Sequence, residues 1–119
     1  MMNTGMEELP ELLDRLTAIL GELTAVQKDV AASVHEDDLM RLGECMKKEQ
    51  ALSLSLRNID QKRISLQQQM GLEKITLSGL PQQIDSAELR EKVKDAAERL
   101  SAQYRIMQSA AEVARSALE

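Results

Sequence analysis

Apolar residues recur along the first third of the chain at Leu9, Leu12, Leu16, Ile19, Leu23, Val26 and Val30, with polar residues filling the gaps. Spacings of three and four are the period of a helix that packs along a seam against other helices. Leu13 and Leu20 flank that seam and widen it, as expected of a helix that touches two neighbours. The run continues to about Val34 and breaks at His35-Glu36-Asp37-Asp38. There Asp37 or Asp38 can accept the free amides of the next helix and complement its positive end. Thr4 and Glu7 have the spacing of a capping box, and Pro10 is tolerated where backbone donors still lack helical partners. The first helix is therefore predicted to begin between Thr4 and Glu8.

A second seam runs through Leu42, Cys45, Glu49, Leu52, Leu56, Ile59, Arg63, Leu66 and Met70. Its two charged members, Glu49 and Arg63, lie too far apart along one helix to pair, so each is expected to reach solvent, a neighbouring helix or a second chain. A polar seam residue can also fix register across an interface. Gly71 suits a left-handed cap, and Gly79 with Pro81 marks an irregular connector whose Leu72, Ile75, Leu77 and Leu80 are predicted to fold back on the bundle end. Asp85 and Glu88 form a second capping box before a third helix, which carries Leu89, Val93, Ala96, Leu100, Tyr104, Met107, Ala111, Ala114 and Leu118 on one face. From Ala110 onward that face is mostly Ala, which permits close approach but buries little area. The pattern predicts an all-α fold in which one domain, residues 1–119, forms three long antiparallel helices in a coiled-coil-like bundle. The helices are placed over about 6–34, 37–70 and 86–117, with the connector over about 71–85.

Composition narrows the chemistry. The 119 residues are 43% apolar but lack Phe and Trp, and Tyr104 is the single aromatic, so the core must be aliphatic and slim. Met46, Met70 and Met107 suit the filling of irregular gaps. Net charge is -5, and residues 1–44 carry ten acids against three bases while residues 45–119 carry ten against twelve. With no basic face and no stacking platform, nucleic acid is excluded as an expected partner. Cys45 is alone, which fits a reducing compartment and a buried structural thiol. No secretory leader and no membrane-spanning run is read from the sequence, so a cytoplasmic protein without membrane insertion is expected. His35, the lone histidine, cannot furnish the paired Glu-x-x-His ligands of a di-metal bundle, and neither metal nor cofactor is expected. A histidine phosphotransfer domain is disfavoured because Glu36, Asp37 and Asp38 follow His35 and would repel a phosphoryl group. No residue set suited to catalysis is present, and the chain is not expected to be an enzyme.

Read together, Asp38-Leu39, Leu42, Lys47-Lys48-Glu49, the leucines through Leu52 and Leu56, Arg63, Leu66, Gly71, Thr76-Leu77 and Leu80 resemble the FlgN family of flagellar export chaperones. The resemblance covers roughly residues 8–115 in layout. It implies a cytoplasmic type III secretion chaperone that binds hook-associated flagellar proteins, prevents their premature assembly and delivers them to the export apparatus. Cargo contact through the carboxy-terminal part is implied as well, which places the partner-binding face on Leu100, Tyr104, Met107, Ala111, Ala114 and Leu118. The same side chains would equally serve to complete the chain's own bundle. A generic coiled-coil adaptor or a self-assembling structural rod is the alternative, since heptads occur in many proteins without cargo; weak self-association is compatible with either.

Overall fold

The structure, a computed structural model, describes residues 3–72 and 74–119, with side chains from Met6 onward. Three helices, α1 (Asn3–His35), α2 (Leu39–Gln69) and α3 (Ala87–Leu118), make an all-α bundle, and no strand occurs among the described residues. Two single-turn 3-10 helices, Leu77–Gly79 and Pro81–Gln83, punctuate the connector before α3. The molecule is a rod of 55 × 21 × 20 Å with a radius of gyration of 17.0 Å. A compact globule of this length would have a radius of about 13.5 Å.

The helix ends follow local rules with two corrections. α1 begins at Asn3, so Pro10 lies inside the helix, beyond the first turn to which the sequence assigned it. Pro10 has no amide hydrogen for the Met6 carbonyl, but Leu9 is fully buried and Met6 packs on the same core. Burial of that turn outweighs the lost bond. The expected Thr4 cap lies outside the described side chains. At the α1–α2 reversal, Asp37 adopts φ 54°, which a short polar side chain tolerates, and Asp38 caps α2 by accepting the Arg41 amide at 3.1 Å.

α2 ends in a complete Schellman motif: the Leu72 amide donates to the Gln67 carbonyl at 2.7 Å and the Gly71 amide to Gln68 at 3.0 Å. Gly71 supplies the required φ of 72°. Beyond it, Leu80, Pro81 and Ile84 are buried, while Leu72, Ile75 and Leu77 pack partly on the bundle end. The cap of α3 is Ser86, not Asp85. Its hydroxyl accepts the Leu89 amide at 3.3 Å, and Glu88 remains in the first turn where the helix dipole favours it.

α1 is the central helix. Its widened stripe is buried almost throughout, with one flank against α2 and the other against α3. α2 returns antiparallel to α1. α3 then runs in the direction of α1, bringing Arg99 to Asp14 and Gln103 to Thr24, and Ala114 into a small cluster with Val26, Val30 and Cys45. α2 and α3 do not close on each other: none of their Cα atoms approach within 8 Å. Directly packed helices bring their axes to 8–10 Å and many Cα pairs closer still. The bundle is therefore open along one side.

Candidate functional groove

The gap between α2 and α3 forms a groove of about 500 Å³. Its floor is Leu16 and Leu20 of α1, one from the seam and one from the residues that widen it. Ser53, Leu56, Arg57 and Asp60 make the α2 wall, Leu100, Ser101 and Tyr104 the α3 wall, and Leu77 of the connector closes one end. The interior is aliphatic, with Arg57 and Asp60 carrying opposite charges on one rim. Leu16, Leu20 and Leu100 are buried beneath it, so its open apolar surface is that of half-buried Leu56 and Leu77 and exposed Tyr104, with the charged groups at the edge.

Of the six residues assigned to a partner face, Leu100 and Tyr104 line this groove together. Tyr104 is 48% exposed, whereas Leu100 is 7% exposed and belongs largely to the core beneath. Met107 packs partly on that core and Ala111 is half-buried. Ala114 is buried against Val26, Val30 and Cys45, so it completes the chain's own bundle. Leu118 is exposed near the end of α3, apart from the groove. Leu16, Leu20, Ser53 and Leu56 were not singled out from the sequence as groove residues. Leu20 carried the available signal, since a widened stripe requires a second neighbour or a groove. Ile106 and Val113, which lie off the seam and are strongly exposed, were also passed over.

Two polar clusters brace the ends of the groove-forming helices. At the α1–α2 turn, Asp29 accepts bonds from the Arg41 guanidinium and, at 3.2 Å, from the Cys45 thiol, while Arg41 also pairs with Glu36. These donors, Arg41 foremost and the thiol next, hold the Asp29 carboxyl below its ordinary range. Burial pushes the Cys45 thiol up, reinforced by its bond to Asp29. Arg41 supplies a positive charge nearby, but its bonds go to Asp29 and Glu36. Cys45 is thus a protonated, buried side chain that fastens α2 to α1.

At the other end, Arg63 is satisfied within its own helix by Asp60 at 2.7 Å and by Gln67. This corrects the expectation that it must reach beyond α2. The buried Gln67 side chain donates in turn to the carbonyls of Leu72, at 3.1 Å, and Ile75, at 3.5 Å, so the charge at the seam anchors the connector. Glu49 stays on the seam and is half-buried. His35 is the exposed last residue of α1. Among the described residues no group of three or more His, Cys, Asp or Glu could hold a metal, and no helix is long and apolar enough to cross a membrane.

Comparison of the chain with protein-family models, curated proteins and solved structures gave no match.

Proposed function

We propose that the chain is a FlgN-like chaperone of flagellar type III secretion, which holds an amphipathic terminal helix of a hook-associated protein in the groove between α2 and α3. The observation that carries this reading is the unclosed α2–α3 side, where half-buried Leu56 and Leu77 and the 48% exposed Tyr104 stand over the buried Leu16, Leu20 and Leu100 with no fourth helix against them. A client segment that pairs as a helix in its assembled state would lay its apolar face on Leu56, Leu77 and Tyr104, above that buried floor. Water would leave both surfaces, and no covalent step is involved. Sequestered in this way, the segment cannot assemble in the cytoplasm, and its release to the export apparatus requires only dissociation. The motifs from Asp38 to Leu80 support the same reading by resemblance.

Titration calorimetry with a peptide of the terminal helix of a hook-associated protein tests it. Binding to the native chain with a negative heat-capacity change is expected, together with at least a tenfold loss in Tyr104→Asp. Binding unaltered by Tyr104→Asp and by Leu56→Asp would overturn it. The alternative of an adaptor or self-assembling rod draws on Leu39 and Met40, which stand 79% and 82% exposed at the α1–α2 tip. In that reading copies of the chain would cover the groove themselves, and light scattering would find no species with a free groove.

A further inference from the structure

α3 carries a second apolar seam that the fold does not use. Ile106 and Val113 are 50% and 61% exposed, and each immediately precedes a residue turned toward α1, Met107 and Ala114. Ser101, by contrast, immediately follows the buried Leu100 and lines the groove. One residue is a rotation of about 100°. Ile106 and Val113 therefore share a flank on the side of α3 opposite the groove. Ala102 and Ser109, both exposed, complete a spacing of four, three and four along that flank.

We infer that this flank is a self-association surface on which two copies of the chain pair α3 against α3 in antiparallel register. The arrangement of sizes and charges selects a second copy. In an antiparallel pair, seam residues of one class meet those of the other. Val113 then falls opposite Ala102 of the second chain and Ile106 opposite Ser109, so every large side chain meets a small one and the backbones can approach closely. Arg105 and Glu112 immediately precede Ile106 and Val113, on the outer edge of the seam, and both are exposed. The same register brings Arg105 of each copy to Glu112 of the other, giving two symmetric ion pairs. A parallel pair would instead stack Ile106 on Ile106 and place Arg105 against Ala110, with no ion pair formed. Glu98 and Glu119 meet as like charges beyond the ends of the apolar stretch, where solvent screens them, and they hold the pairing to a modest affinity. Because the groove lies on the other flank, a dimer of this kind leaves it open. The inference accordingly stands apart from the proposed client and is tested separately.

Sedimentation velocity of the full chain over a range of concentrations reads it. The native chain is expected to pass reversibly from monomer to dimer as concentration rises, in the micromolar range. Arg105→Glu and Glu112→Arg should each weaken the dimer about tenfold, and the double exchange should restore it to within about threefold of native. Ile106→Asp should abolish it with the helical circular dichroism unchanged, whereas Tyr104→Asp in the groove should leave it intact. A chain that stays monomeric up to about 1 mM would overturn the inference, as would a dimer insensitive to Ile106→Asp or a double exchange no better than the single ones.

Discussion

α1 and α2 face the same packing problem with different resources. α1 carries Leu, Ile or Val on a stripe wide enough to cover both neighbours, and almost every member of it is buried. α2 has a single seam, of which only Cys45, Ile59 and Leu66 are buried, with the polar Gln67 buried beside it. Its flank toward α3 offers Leu56 alone among Ser53, Arg57 and Asp60, and α3 answers with the already buried Leu100 beside Ser101 and Tyr104. Neither side offers enough apolar area to pull the two helices together at about 25 cal/mol per Å². The lesson is that an open groove needs no special device. It appears where one helix has two apolar flanks and its neighbours have one each.

If α1 is the spine of the bundle, Leu13→Ala should be the most damaging single change. Leu13 is fully buried, and the cavity left behind should cost about 2–5 kcal/mol in chemical denaturation. Leu54→Ala, on the exposed back of α2, should cost no more than about 0.5 kcal/mol in the same assay. Comparable losses at both positions would break the distinction between the two helices. Next in size is Gly71→Ala, which forces a side chain into the left-handed region and should cost about 1–2 kcal/mol. Ser86→Ala should cost about 1 kcal/mol by removing the α3 cap, whereas Asp85→Ala should cost less, since Asp85 does not make that bond.

The smallest expected effect concerns pH. Asp29 is held below its ordinary range in the folded chain, so its contribution is complete above the unfolded carboxyl value of about 3.9 and is lost as pH falls through the lower folded value. Acid unfolding of Asp29→Asn should therefore be shallower over that window than that of the native chain. On the alkaline side the raised Cys45 thiol acts in the opposite sense: above about 8.5 the unfolded thiol ionises first, and stability declines as pH rises. Circular dichroism melts at stepped pH check both directions.

Much of this fold was legible in the seams. The period of three and four located all three helices, and Leu13 and Leu20 indicated two neighbours for α1. Gly71 marked its own left-handed turn because few other residues tolerate one. Local rules failed where tertiary burial competed with them. Pro10 is expected within the first turn of a helix that starts between Thr4 and Glu8, but the helix begins at Asn3 and the core around Leu9 and Met6 holds it through Pro10. Arg63 is expected from the seam to reach solvent, a neighbouring helix or a second chain, but Asp60 and Gln67, three before and four after, stand at pairing distance on the same helix. The groove itself was only half legible. Leu100 and Tyr104 stood on a predicted face, but whether α2 and α3 would close depends on the flanks of two helices at once, which no single periodicity encodes.

Site-specific photo-crosslinking from α2 tests the docking of a client helix most directly. A crosslinker replacing Leu56, which lines the groove, is compared with one replacing Leu54, which points away from it, in cells that produce a hook-associated protein. An adduct with the hook-associated protein from position 56 and none from position 54 is predicted. Equal adducts from both positions, or an adduct from position 54 alone, would contradict the account.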